Sequence, residues 1–449
     1  MKFVSARHHL RSGVKSEDPD PAVFYSQALE VIVASDGGLF VPERFPLFKM
    51  ETFGGEITFP AFGAKVLAPF FEGDRLEEEL ASICESAFNF ELPLKMLQRQ
   101  TALLELFHGP TLAFKDFGAR FLAECLGRLK PKSQEKNTVL VATSGDTGGA
   151  VAGAFWGRPG FDVVILFPKG RVSARQEKQL TAWGDNVRAV AVKGDFDDCQ
   201  RIVKEAFRSE KLRLSCHLTS ANSISVGRLL PQVLYHAWAS LNYLRKTGRE
   251  AGVIVPSGNL GNSAAALWAK RMGFPIREVV LAVNANRAVV DYLEGGLWRP
   301  LPTVATLANA MDVGNPSNIE RIQSLYPVFQ DLKRDVSAVS ILDPQIRETI
   351  RTGNQEWGEV FCPHTATAIA ARMQQAQSDW IIAATAHPAK FETIVEPLIG
   401  RAMEVPAELD SILKRPSSSI EIEPSLKSLT DHLAQLMTGD KKGRAGTHT

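Results

Sequence analysis

The chain has 449 residues, 45 % of them apolar and 22 % charged, which suits a soluble globular protein of two or three packed lobes. Lys plus Arg number 51 against 50 acidic residues, a net charge of +1, so there is no field to attract nucleic acid or an anionic membrane. Five scattered cysteines (Cys84, Cys125, Cys199, Cys216 and Cys362) never form a C-x-x-C pair, which argues against a disulfide framework or a zinc site.

The chain opens on MKFVSARHHLRSG, a polar stretch without the apolar core of a secretory signal, and no later run is long enough to span a bilayer. A cytoplasmic location is therefore expected. Residues 1–95 are irregular and rich in Phe and Glu, and are expected to form an N-terminal domain. Lys115 follows in FHGPTLAFKDFG (107–118), after a Gly-Pro turn and between Phe114 and Phe117. Aromatic neighbours desolvate an ammonium and suit a Schiff-base lysine, although a lysine on an amphipathic helix is the ordinary occupant of such a pattern.

From Asn137 the text alternates between β-branched runs and helical patterns. TVLVA (138–142) reads as a buried strand, TSGDTGG (143–149) as a turn, and a small-residue helix is expected from near Gly149. FDVVILFP (161–168) and NVRAVAVKG read as strands, with helices around 173–183 and over FDDCQRIVKEAFRS. After a helical stretch over 224–246, the pattern repeats: AGVIVP as a strand, SGNLGN as a turn, SAAALWAKRMG as a helix, REVVLAV as a strand, and later WIIAATA as another. Such βαβ alternation predicts parallel sheets covered on both faces, in two α/β lobes with ligands beyond the carboxyl ends of the strands. The expected boundaries are 96–240 for a small lobe and 241–435 for a large one, with a disordered tail at 436–449.

Two turns read as anion sites. In SGNLGN (257–262), small residues at a helix start leave backbone N–H groups free, and the helix dipole adds positive charge. The motif is not G-x-G-x-x-G, so a dinucleotide fits poorly, although a nucleotide-binding module is the rival reading. In TSGDTGG, Thr143, Ser144 and Thr147 offer hydroxyls to a carboxylate or phosphate, while Asp146 would repel one and needs another target, such as a hydroxyl or a protonated ring substituent. Asn222, Ser223 and Arg228 cluster in SANSISVGRLLP, where an Arg could fork to phosphate. Thr385, in ATAHPAKF, could offer its hydroxyl to a ring nitrogen. The histidines share no metal spacing, and no metal is expected.

Together these blocks carry a resemblance. LELFHGPTLAFKDFGARFLA closely resembles the cofactor-lysine motif of the threonine synthase family, within the fold-type II pyridoxal-phosphate enzymes. ATSGDTGGAVAGAF, SARQEKQL, GDFDDCQ, SANSISVGRLLPQ, VPSGNLGN, NAMDVGNPSN and TAHPAKF follow in the family's order, and SDGGLFVPE is similar too. The resemblance implies a tryptophan synthase β-like α/β fold: two parallel-sheet lobes around a cleft, plus an N-terminal segment. It implies pyridoxal 5'-phosphate on Lys115, its phosphate held by Gly258, Asn259, Leu260, Gly261 and Asn262, Asp146 near its phenolic oxygen, and Thr385 at its ring nitrogen. Thr143, Ser144, Thr147, Asn222, Ser223 and Arg228 would bind substrate.

The implied reaction removes phosphate from O-phospho-L-homoserine and adds water to give L-threonine. A related phospholyase outcome, 2-oxobutyrate with ammonia and phosphate, stays open, as does a catalytically dead homologue acting as a binding partner. The implied partner is this small-molecule substrate alone, with no nucleic acid or membrane, and the protein would be a monomer or homodimer. Leu260 and Asn262 depart from the family's usual Phe and Asp, Cys362 stands where an acid is common, and SARH replaces the usual N-terminal S-T-R-G.

Overall fold

The computed structural model describes residues 1–7, 21–129, 136–143 and 145–434, so Ser144 and the expected tail at 436–449 lie outside the described residues. Two compact units divide the chain: Met1–Pro131 with Ser223–Leu409, and Lys132–Asn222 with Asp410–Thr449. In the first unit β1 (Phe3–Ser5) and β2 (Phe40–Pro42) form a small antiparallel pair, and β3 (Leu94–Met96) and β4 (Thr101–Glu105) lead to helix α1 (Lys115–Leu129). The second unit takes β5 (Asn137–Ala142), α2 (Asp146–Phe155), β6 (Phe161–Pro168), β7 (Val187–Val192) and β8 (Leu218–Thr219). The chain then returns to the first unit with α3 (Gln232–Thr247), β9 (Ala251–Pro256), α4 (Gly261–Arg271), β10 (Ile276–Val283), α5 (Ile319–Leu325), β11 (Val336–Ser340), α6 (Pro363–Arg372) and β12 (Trp380–Ala384). It ends in the second unit with β13 (Ser419–Ile422).

The first unit's large sheet has the order β11-β10-β9-β12-β4-β3, parallel throughout except for the edge pair β3 and β4. Every residue of β9 and β12 is buried, as a parallel strand covered on both faces requires. Ile254, Ile382, Leu103 and Val280 join Ile369 and Trp357 in one core beneath that sheet. The second unit has the order β13-β7-β6-β5-β8, all parallel, with its own core around Val164, Val190, Ile202 and Leu429. The α/β class and the parallel sheets are as expected.

The expected domain boundaries are not those of the two units. β4 pairs with β12 over Thr101–Glu105, which draws residues 96–131, and Lys115 with them, into the unit that carries SGNLGN. β13 pairs with β7, so a segment near the C-terminus completes the other sheet. Residues 1–95 form no unit of their own. Phe53 and Phe62, from that stretch, pack with Phe274, and Phe62 also meets Trp238 of α3 at 5.1 Å between ring centroids.

Register matters most where β9 meets β12. Trp380 lies opposite Gly252, and a Cβ on Gly252 would stand 2.4 Å from the indole ring. Gly252→Ala is therefore expected to cost about 1–3 kcal/mol, the usual size of an overpacking strain. A urea titration with an unchanged midpoint would refute this reading of the β9–β12 contact.

Candidate active site

Strands β9, β12 and β4 are adjacent and parallel, so their carboxyl ends emerge on one edge of the sheet. Three expected site segments leave from that edge: SGNLGN after β9, Thr385 after β12, and the stretch leading to Lys115 after β4. This is where open α/β sheets hold ligands. The sheet therefore brings Lys115, Thr385 and Gly258–Asn262 together.

Lys115 is the first residue of α1 and is partly buried, its Nζ 5.3 Å from the centre of the Phe114 ring. The backbone just before it is clamped to the end of β12. Phe114 N–H donates to the Thr385 carbonyl at 2.8 Å, His387 N–H donates to the Leu112 carbonyl at 3.1 Å, and Ala113 bridges to Ala386. Thr385 N–H in turn donates to Thr365 Oγ1 at 3.3 Å. Leu112 sits at φ +55°, a left-handed conformation that costs a branched residue about 1–3 kcal/mol.

The fully buried Asp116 organises the turn before the lysine. Its carboxylate accepts from Thr111 N–H at 2.8 Å and from Thr111 Oγ1 at 2.6 Å. A side chain on Gly109 would collide with it, Cβ to Oδ2 at 2.5 Å. Burial raises the Asp116 pKa, and the Thr111 hydrogen bonds and the charges of Lys390 and Arg120 oppose the rise. The Lys390 ammonium, also wholly buried, donates to the Thr111 carbonyl at 2.7 Å.

The SGNLGN turn is built to present backbone. Leu260 adopts φ +60° as the residue before α4, and Gly258 packs so close to Met311 that a Cβ would lie 2.7 Å from its Cα. Asn259 is held at both ends of its side chain: Nδ2 donates to Ser223 Oγ at 2.6 Å, and Oδ1 accepts from Ser317 N–H at 2.6 Å. Asn262 Oδ1 lies 2.8 Å from the Tyr235 hydroxyl and accepts from His236 Nε2 at 2.7 Å. Among the described residues, the N–H groups of Gly258 to Asn262 donate to no protein acceptor, and the buried Asn262 Nδ2 has no partner. Unspent donors at the start of an eleven-residue helix are what a phosphate needs.

The second unit carries the other loop, and there the structure departs from expectation. Helix α2 starts at Asp146 rather than near Gly149, so Asp146 and Thr147 lie in its first turn. An acid in that position is favoured by the helix dipole, and Gln176 Nε2 donates to Asp146 Oδ1 at 3.3 Å. Thr143 Oγ1 accepts from the N–H groups of Gly145 at 3.0 Å and Gly148 at 2.9 Å and donates to the Gly145 carbonyl at 3.0 Å, so its hydroxyl is engaged inside the loop. The unit boundary falls between Asn222 and Ser223.

Arg228 lies in the four-residue helical turn Val226–Leu229, which Ser225 caps. It is only 2 % exposed, and burial lowers its pKa to about 10 against the opposing charges of Asp116 and Tyr235. Several residues that support the site carried no sequence signal of their own. Thr365 is held by the Cys362 thiol at the start of α6, and His364 Nε2 accepts from Ala310 N–H at 3.1 Å, beside Gly258. They lie in CPHTA (362–366) and NAMDVGNPSN, but only three-dimensional packing assigns them a task.

The lysine at a helix start, the phosphate-ready turn and the sheet edge that joins them define a pyridoxal-phosphate enzyme of fold type II. A family model described as pyridoxal-phosphate dependent enzyme matches residues 95–381, more than half of the chain. Models for the threonine synthase N terminus and C-terminal region match 15–88 and 364–433. Threonine synthase from Haemophilus influenzae is 40 % identical over 417 residues, covering 92 % of this chain and 97 % of its own. The crystal structure of threonine synthase from Escherichia coli superposes with a TM-score of 0.87 at 36 % identity, covering 97 % of this chain and all of its own. A pyridoxal-phosphate-bound threonine synthase from Brucella melitensis gives 0.86 at 32 % identity, covering 96 % of this chain and 98 % of its own. The chain belongs to the threonine synthase family.

Pyridoxal phosphate is the cofactor of this class, and the residues present fit it. The unspent N–H groups of Gly258–Asn262 and the unpartnered Asn262 Nδ2 suit its phosphate, and Lys115 starts a helix clamped to Thr385.

The histidine behind the phosphate turn makes a pH prediction. Burial lowers the His236 pKa from 6.5 to about 4, against the hydrogen bond to Asn262, so His236 is neutral at pH 7. As pH falls, the unfolded chain takes up that proton first, and stability drops between about 6.5 and about 4. The limiting slope is about 1.4 kcal/mol per pH unit for one such group. Urea midpoints for the wild type should fall across this window, and His236→Gln should flatten the fall. An equally steep variant would contradict it.

Proposed function

We propose that the protein converts O-phospho-L-homoserine to L-threonine and phosphate, in the cytoplasm, as a step of threonine biosynthesis. The observation that carries the reading is the joint exit of Lys115, Thr385 and the Gly258–Asn262 turn from one edge of a parallel sheet, in a chain matching threonine synthases over nearly its full length. Bound pyridoxal phosphate supplies the electron sink that makes protons on the substrate's Cα and Cβ removable.

The chain's own residues do the rest. Lys115 Nζ would hold the cofactor and, with substrate bound, would take the Cα proton and later return it. The amides of Gly258, Asn259, Leu260, Gly261 and Asn262 hold the cofactor phosphate. Thr385 would offer its hydroxyl to the ring nitrogen, and Asp146 would serve the phenolic oxygen. Thr147 and Ser144 bind substrate, with Thr143 shaping their loop through the bonds it makes within it. Asn222 and Ser223 hold the substrate phosphate, and Arg228, as deeply buried as it is, adds positive charge to their surroundings. Together these contacts orient the leaving phosphate and the incoming water, which is where a protein lowers such a barrier.

Purified holoenzyme incubated with O-phospho-L-homoserine should release threonine and phosphate in equal amounts. Borohydride-reduced protein should carry a pyridoxyl adduct on Lys115, and Lys115→Ala should lower turnover by at least about 10³-fold. Release of 2-oxobutyrate and ammonia instead would replace the synthase reading with a phospholyase. An adduct on another residue would overturn the site.

A further inference from the structure

Arg321, on α5, is wholly buried, yet the mechanism above does not use it. Its hydrogen bonds all run to neutral acceptors. Nε donates to the Phe40 carbonyl at 3.0 Å, NH2 to the Ile224 carbonyl at 2.7 Å, and NH1 to Asn318 Oδ1 at 2.6 Å and the Ser223 carbonyl at 3.4 Å. The neighbouring acid, Glu320, is turned elsewhere, to Leu39 N–H at 2.9 Å and to Arg7 at 3.4 Å. Burial lowers the guanidinium pKa to about 9, which still leaves it charged at pH 7. A buried cation with no carboxylate in contact is costly, so the bonds it makes must offset that cost.

The groups it touches say what that is. Asn318, fixed by Arg321, donates through Nδ2 to the Asn259 carbonyl at 2.9 Å and to the Ser223 carbonyl at 3.4 Å. Asn259 closes the circuit by donating to Ser223 Oγ. The Ser223–Ile224 turn and the SGNLGN turn are thus joined through one guanidinium and one amide. We propose that Arg321 is a positioning residue that locks these two turns into a single frame for two phosphate-bearing ligands, so that its loss weakens binding of both together. This rests on the assignment of the cofactor phosphate to Gly258–Asn262 and of the substrate phosphate to Ser223. The planar fork matters here, because a lysine cannot reach acceptors on three separate segments at once.

The test compares wild type, Arg321→Lys, Arg321→Met and Asn318→Ala. Three quantities are measured: the dissociation constant of pyridoxal phosphate by absorbance, KM and kcat with O-phospho-L-homoserine, and thermal melting. In each folded variant the cofactor dissociation constant and KM should both rise, by about tenfold or more where a charged hydrogen bond is lost. The kcat of the cofactor-saturated variants should change far less. Arg321→Lys should recover only part of what Arg321→Met loses. If Arg321→Met fails to fold, Arg321→Lys and Asn318→Ala decide the matter. A lower melting temperature with both constants unchanged makes the residue merely structural and overturns the proposal, as does a rise in one constant without the other. If the wild type makes no threonine, the reading of the reaction fails. Cofactor affinity and competition by inorganic phosphate for the apoenzyme then still report on the frame.

Discussion

An anion held by backbone amides imposes a constraint on everything around it: those amides must stay unbonded by the protein and yet must not move. Unpaired buried N–H groups are costly, so a fold tolerates them only where a ligand completes them. Around Gly258–Asn262 the side chains absorb the immobilisation that the backbone cannot provide for itself. Asn259 is tied at both ends of its amide, Asn262 is tied back to Tyr235 and His236, and Gly258 is pressed on Met311. Leu260 takes a left-handed conformation to turn the chain into α4. No lysine or arginine sits in the turn, so the charge that favours an anion comes from the helix start and from more distant cations.

The segment before Lys115 obeys the same rule with different means. A lysine that must hold a cofactor and then move protons needs a fixed backbone under a mobile amine. Leu112 adopts the other strained leucine conformation of the site, and its carbonyl is bound by His387 N–H. Phe114 N–H is bound by Thr385, and Asp116 caps the Thr111 turn from one residue beyond the lysine. Strain and hydrogen bonds are both placed in the residues flanking the amine. The same clamp fixes the backbone of Thr385, so lysine and threonine share one support.

Much of this was legible in the sequence, for a physical reason. Strands β9 and β12 are buried throughout, and β5, β6 and β10 are buried over their last five or six residues, so each carries an apolar run, and the two Gly-rich turns interrupt the pattern sharply. Strands at sheet edges were not legible. β13 has three exposed residues in four, and β3 has none fully buried, so neither carries the pattern of a strand. The pairing of β13 with β7, together with Leu429 in the second unit's core, returns the last segment to that unit. The burial of Arg228 and Arg321 was not legible either. Each reads as the polar residue of an ordinary amphipathic helix, and the burial of Arg321 depends on Phe40, which lies 281 residues away in sequence. Thr143 reads as a free hydroxyl because sequence cannot show that two amides already claim it.

The electrostatics of the first unit's site follow from these placements. Asp116 feels the charges of Lys390 and Arg120, and Arg228 feels Asp116 in turn, so one buried carboxylate stands among several cations. Such an excess is unfavourable in an interior unless further negative charge enters. Two phosphate groups are the charge that the proposed chemistry would bring. Thr385, by contrast, presents no charge: its backbone is spent on Phe114 and Thr365, which leaves a neutral hydroxyl as the group it can offer. At the proposed position beside the ring nitrogen, a neutral hydroxyl would not stabilise a pyridinium as a carboxylate would. On that proposal the positive charge of the site would be kept for anchoring anions and withheld from the ring, which would separate the binding of phosphate from the tuning of the electron sink.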